Sequence, residues 1–140
     1  MPGLNGIEQL ASTTTGDAGV RVEVVWSGER RPLPSDIELA AFRIVQEALT
    51  NVVRHAQADG CRVEIAYGRE ELALEITDDG RAAPEGSPAG TGFGITGMRE
   101  RAALLNGRFG AGPRPGGGFR VAAGLPLEHP EEPLERKEKE

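Results

Sequence analysis

The spacing of hydrophobic and polar positions changes several times along the chain. Leu4, Ile7, Leu10 and Ala11 recur at helical intervals, which predicts a short helix over residues 4–12 and a loop from Ser12 to Gly19. Val22, Val24 and Trp26 then alternate with Arg21, Glu23 and Val25, the two-residue period of a strand with one covered face. Ser27 to Pro34 reads as a turn region. Ser35-Asp36-Ile37-Glu38 has the form of a capping box, in which hydroxyl and carboxylate satisfy each other's free amides. It opens the longest helical pattern, which runs to about Ala56 and is stopped by Gly60. On a wheel of about 100° per residue, Ile37, Ala41, Ile44, Val45, Ala48, Leu49, Val52 and Val53 form a broad apolar arc, the mark of a deeply buried helix.

Two strands follow, one with Val63, Ile65 and Tyr67 on its inner face and one with Leu72, Leu74 and Ile76, joined by a hairpin turn at Gly68–Glu71. Asp79 to Thr91 is rich in Gly, Ala and Pro and predicts a mobile loop. A helix from near Gly94 to Leu105 carries Met98, Ala102 and Leu105 on one side, and Asn106-Gly107 ends it. A short strand near Arg108–Ala111, a Gly/Pro turn over Gly112–Gly118 and a strand with Phe119, Val121, Ala123 and Leu125 facing inward complete the pattern. The predicted fold is α/β: a two-layer sandwich of a mostly antiparallel, mixed sheet with helices on one face.

Composition narrows this picture. A chain of 140 residues suits one domain, expected over residues 20–127, with 1–19 as a linker from an absent dimerisation domain and 128–140 as a disordered charged tail. A net charge of -6 argues against a broad nucleic-acid surface while leaving room for a small phosphate pocket. No apolar run approaches the roughly 18–20 residues that span a bilayer, and no signal-peptide pattern opens the chain. The single Cys61 cannot form an internal disulfide and fits a reduced, cytoplasmic setting, with any membrane anchor of the parent protein in other segments.

Three segments carry candidate chemistry. Glu47, Asn51 and Arg54 line one edge of the apolar arc of the long helix, and His55 falls inside it. An amide oxygen at Asn51 suits a hard cation such as Mg²⁺, a guanidinium at Arg54 suits phosphate, and a carboxylate at Glu47 can take a proton. The spacing alone is equally that of an ordinary polar helix edge. Thr77-Asp78-Asp79-Gly80 places a carboxylate at the end of a buried strand, where it can accept a hydrogen bond from the exocyclic amine of adenine, or simply make an Asp-Gly turn. Gly90, Gly92, Gly94 and Gly97 lead directly into a helix, whose N-terminus favours anions. No strand immediately precedes them, as a dinucleotide-binding unit would require, and no Gly-Lys-Ser/Thr follows, as a Walker loop would.

Together, in this order, the three segments resemble the N, G1 and G2 boxes of histidine kinases. The matching runs are Glu47-Ala-Leu-Thr-Asn51-Val-Val-Arg-His55, Asp78-Asp-Gly80 and Gly92-Phe-Gly94-Ile-Thr-Gly97-Met-Arg-Glu-Arg101. The chain is similar, over about residues 20–127, to the superfamily of gyrase, chaperone, histidine-kinase and mismatch-repair ATPases with its Bergerat fold. It looks most like the subclass that partners LuxR-type response regulators. The resemblance implies Mg²⁺ at Asn51, adenine at Asp78 with Gly80 beside the base, and phosphates or ribose at Arg54 and His55. It also implies that Gly92, Gly94 and Gly97 shape the lid and the phosphate-facing helix end, and that Glu47 stands where gyrase-like relatives hold their water-activating acid. The implied reaction is γ-phosphoryl transfer from Mg·ATP to a histidine on a partner domain. Neither His55 nor His129 begins a long amphipathic helix that could present that acceptor, and the isolated domain is expected to be monomeric.

Two positions depart from the family pattern. Ala82 stands where a second glycine of the G1 box is common, and Phe119 follows Gly118 where relatives often have Thr. A serine kinase of the anti-sigma type shares the fold, although Met98-Arg-Glu-Arg101 argues against it. A nucleotide-sensing interaction module without catalysis is the remaining alternative.

Overall fold

The structure, a computed structural model, describes residues 3–56, 58–80 and 94–127; the side chains of His55 and Ala56 lie outside the description, as do Ala82, Gly92, His129 and the tail. Among the described residues, three α-helices and five strands appear in the order α1 (Ile7–Ala18), β1 (Arg21–Gly28), α2 (Ser35–Asn51), β2 (Gly60–Tyr67), β3 (Glu71–Asp78), α3 (Ile95–Leu104), β4 (Arg108–Pro113) and β5 (Phe119–Pro126). The strands form one sheet in the order β1-β2-β3-β5-β4, with β1 and β2 parallel and every other pair antiparallel. A parallel pair needs a crossover, and α2 supplies it.

Strand parity sets the two faces. Val63, Ile65, Leu72, Leu74, Ile76, Val121, Ala123 and Leu125 are buried on the covered side with Ile37, Ala41, Ile44, Val45, Ala48 and Leu49 of α2. Full burial of each large aliphatic side chain is worth about 1.5–3 kcal/mol, so this layer is the main source of stability. The opposite face carries ion pairs, Arg62 with Glu64 along β2 and, between strands, Arg62 with Glu23, Arg108 with Glu71 and Arg120 with Glu75. These pairs are substantially exposed, and they set the polarity of the face more than its stability.

Four local features differ from the sequence reading. The first helix continues to Ala18 through the expected loop. Thr14 Oγ1 donates to the Leu10 carbonyl, Thr15 Oγ1 accepts from the amide of Val22, and Gly19, left-handed at φ 76°, returns its amide to the Thr15 carbonyl. Tertiary and capping bonds thus hold a turn that β-branched residues would not hold alone. Leu4, in a 3-10 turn (Leu4–Gly6), and Ile7 lie in the same core as α2, so the segment expected as a linker packs into the fold. At α2, the expected capping box does not form. Pro34 is the N-cap, and Glu38 accepts instead from the amides of Leu33 at 3.1 Å and Leu4 at 3.4 Å, tying the first turn of the chain to the helix.

The third difference lies at the end of the long helix. After Asn51 the chain enters a π turn (Val52–Ala56). A wider i→i+5 turn advances fewer degrees per residue than an α-helix, so later side chains fall behind their α-helical positions. Val53, placed in the apolar arc by the wheel, is 43% exposed. The fourth is β4, which extends to Pro113 into the expected Gly/Pro turn. The end of α3 agrees with expectation: Asn106 is left-handed at φ 62°, and Gly107 and Asn106 donate to the carbonyls of Ala102 and Ala103, a Schellman closure.

Candidate nucleotide-binding site

The parity that buries Leu72, Leu74 and Ile76 also turns Asp78 toward the covered face. It is the one buried charged residue among those described, at 5% exposure. Its Oδ1 accepts from the Gly80 amide at 2.8 Å, and the Phe119 amide also donates to the carboxylate. Burial pushes its pKa above the usual carboxylate range, the two amides and Arg114 oppose that rise, and Asp79 adds to it. Phe119, which stands where relatives often have Thr, thus meets Asp78 through its main-chain amide.

Asp79 has a different task. Its Oδ1 accepts from the amides of Asp59 and Gly60 at 3.0 and 3.1 Å, closing the entry to β2. The adjacent carboxylates divide between a buried position on the covered face and a turn-closing position outside it.

The β4–β5 turn was read from the sequence only as a Gly/Pro connection. Gly116, Gly117 and Gly118 all adopt positive φ, and a Cβ on Gly118 would lie 2.1 Å from the Asp78 carbonyl oxygen. Glycine is required at 118 both by its φ of 92° and by backbone contact. Arg114 Nη1 donates to that same carbonyl at 3.0 Å. Three consecutive glycines signal such a turn; nothing in the local spacing identifies its target.

Glu47 and Gly94 meet at the start of α3. Gly94 is the left-handed N-cap at φ 70°, and a Cβ there would lie 2.2 Å from Glu47 Oε2. The contact brings the first and third sequence motifs together. Asn51, one turn beyond Glu47, is half-buried at the end of α2. Gly97 is exposed in the first turn of α3, and a Cβ added there meets nothing within 4 Å among the described residues. Gly80 is buried next to Asp78.

Arg54 is placed apart from this group. It is exposed and lines a shallow groove with Leu10 and Thr14 of α1 and Leu49, Thr50 and Val53. The π turn accounts for this: it moves Arg54 back toward the Thr50 side and away from the edge shared by Glu47 and Asn51. Gly92 and the side chain of His55 lie outside the described residues. No described group of three or more His, Cys, Asp or Glu side chains forms a metal cage. No described helix is long and apolar enough to cross a membrane.

Sequence and fold comparisons identify the family and the fold. Residues 36–129 match the family described as histidine kinase-, DNA gyrase B- and HSP90-like ATPase. The chain belongs to that ATPase family. Among curated relatives, it is 35% identical over 124 residues to the sensor histidine kinase LnrJ of Bacillus subtilis, covering 89% of this chain and 30% of LnrJ. It is 34% identical over 128 residues to the sensor histidine kinase YxjM of the same organism, covering 91% of this chain and 31% of YxjM. The chain therefore spans about a third or less of the length of these relatives. Among solved structures, the histidine kinase domain of a blue-light activated kinase of Erythrobacter litoralis superposes with a TM-score of 0.66 at 25% identity, covering 86% of this chain and 63% of that one. The mixed five-stranded sheet with helices on one face is the Bergerat fold expected from the sequence.

Proposed function

We propose that this domain binds Mg·ATP and presents its γ-phosphate to a histidine on a separate helical domain of a two-component sensor kinase. The observation that carries the reading is the buried Asp78 carboxylate at the end of β3, fixed by two main-chain amides on the helix-covered side of the sheet. A desolvated acceptor at a strand end suits the amine of adenine and disfavours guanine, which has a carbonyl there. Family membership supports the same assignment.

Asn51 would hold Mg²⁺ through its amide oxygen. A neutral amide oxygen fits a cation that takes most of its ligands from phosphates and water. The cation would neutralise charge on the phosphates. The chain's own residues do the positioning: Asp78 and Gly80 seat the base, Gly97 leaves the first turn of α3 open to close approach, and Glu47, packed against Gly94, sets that helix start beside Asn51. Gly92, Arg54 and His55 complete the proposed phosphate and ribose contacts, with Arg54 needing to swing from its groove. Phosphoryl transfer from such a site rests on orientation and charge stabilisation more than on covalent participation by the protein. Glu47 is the proposed acid–base group on this chain. The proposed setting is cytoplasmic, with a LuxR-type response regulator downstream of the parent kinase.

The test supplies the helical acceptor domain of the parent kinase and γ-labelled ATP. Phosphohistidine is expected with the wild-type domain and is expected to be lost with Asp78→Asn or Asn51→Ala. Tight ATP binding without any phosphohistidine would refute the kinase reading.

A further inference from the structure

We propose that Arg114 is a positioning residue for adenine recognition, fixing the main chain of Asp78 from the β4–β5 turn so that the carboxylate meets the base at a set height and angle. The proposal rests on the reading of Asp78 as the acceptor of the adenine amine.

Arg114 Nη1 donates to the Asp78 carbonyl at 3.0 Å. The turn that carries it is closed on itself, with the Arg114 amide donating to the Gly118 carbonyl at 2.9 Å and the Gly117 amide donating to the Arg114 carbonyl at 3.1 Å. Gly118 permits backbone-to-backbone contact with Asp78, and the next residue, Phe119, donates its amide to the Asp78 carboxylate. One short turn thus grips both ends of one residue, carbonyl and carboxylate. The long arm and forked, permanently charged head of Arg114 reach round the end of β3 to do the first of these.

The guanidinium has a second effect. The charged groups acting on the Asp78 carboxylate are Asp79 beside it and Arg114 on the turn; the neutral thiol of Cys61 stands opposite it on β2, and Arg21 and Arg62 line the same groove. Burial and Asp79 favour the neutral carboxyl, whereas Arg114 favours the carboxylate that accepts from adenine. Affinity for adenine falls as pH falls through the pKa of Asp78. Without Arg114 that pKa rises further, and the loss begins at higher pH.

The experiment is calorimetry on the full 140-residue chain, with Mg·ADP, Mg·GDP and inorganic pyrophosphate as probes, between pH 5 and 8. Asp78→Asn is expected to abolish the preference for ADP over GDP. Arg114→Ala is expected to weaken ADP about three- to tenfold, the range for the net worth of one ordinary hydrogen bond, to leave pyrophosphate unchanged and to move the pH midpoint of ADP binding upward. Arg114→Lys keeps the charge and is expected to hold the midpoint while recovering part of the affinity. Wild-type ADP affinity and pH profile in Arg114→Ala, alongside a selectivity loss in Asp78→Asn, would overturn the role of Arg114. Equal weakening of ADP and pyrophosphate in Arg114→Ala would overturn it too, by showing a general structural effect. Unchanged selectivity in Asp78→Asn would overturn the adenine reading itself.

Discussion

The carboxylate of Glu47 lies against the backbone of Gly94, leaving no space for a side chain at the start of α3. Gly94→Ala therefore carries two penalties, a clash with Glu47 and a left-handed backbone at φ 70°. The backbone part costs about 1–2 kcal/mol. Denaturant titration should show a larger loss than this in the wild-type background and a loss near this value when Glu47 is already Ala. Equal losses in both backgrounds would mean that the two residues are not coupled.

Asp78 sets binding against stability. Its pKa is raised in the folded state from an ordinary value of 3.8 by burial. The folded protein therefore holds the proton more tightly than the unfolded chain. That stabilisation is complete below the unfolded pKa and is lost as pH rises through the folded one. Asp78→Asn does not titrate and keeps an oxygen for the Gly80 and Phe119 amides. Thermal melts are expected to show it more stable than the wild type at pH 7, with the advantage shrinking in acid, while nucleotide affinity falls. A lower melting temperature at pH 7 would contradict this.

Cys61 is expected to be inert. Burial first, then Asp78 and Asp79, push its thiol up to about 12. The reactive thiolate is scarce at pH 8, so a thiol reagent should label the folded chain far more slowly than the chain in denaturant. Above pH 9.0, the ordinary thiol value, the unfolded chain loses its proton first and stability falls toward pH 12. Cys61→Ala should flatten that part of the profile; fast labelling of the native protein would refute the assignment.

Ile7 tests whether α1 is a structural part of the domain. Its side chain is fully buried in the common core. Ile7→Ala should lower stability by about 2–5 kcal/mol, the range for such a cavity, measured by chemical denaturation. A change below about 0.5 kcal/mol, typical of exposed sites, would mean that the helix is peripheral.

The pattern of β2 and β3 was legible because one face of each is more exposed: Val63, Ile65 and Tyr67, and then Leu72, Leu74 and Ile76, alternate in sequence as they do in burial, whereas β5 is buried throughout Val121–Leu125. The elements less legible were those held by distant partners. Thr15 keeps α1 helical by accepting from Val22, and Glu38 leaves its expected cap to reach Leu4, neither of which has a local signature. At the candidate site, Asp78 could be read from its strand-end position, whereas Arg114 gave no signal because its target lies on another strand. The π turn also escaped a wheel of constant pitch, which is why Val53 and Arg54 fall where the sequence did not put them.

The parallel pairing of β1 with β2 imposes an order on self-assembly. β2 and β3 are joined through Gly68–Glu70 and meet at the cost of closing a very short loop. β1 must wait for residues 29–59, including all of α2, to cross over before its register with β2 can close. Loop closure grows more costly with length, and long-range parallel contacts form late. A hairpin nucleus at β2–β3, with β1 joining after it, is the expected route. Destabilising changes in the hairpin should slow folding, and changes such as Val24→Ala in β1 should chiefly speed unfolding in stopped-flow traces.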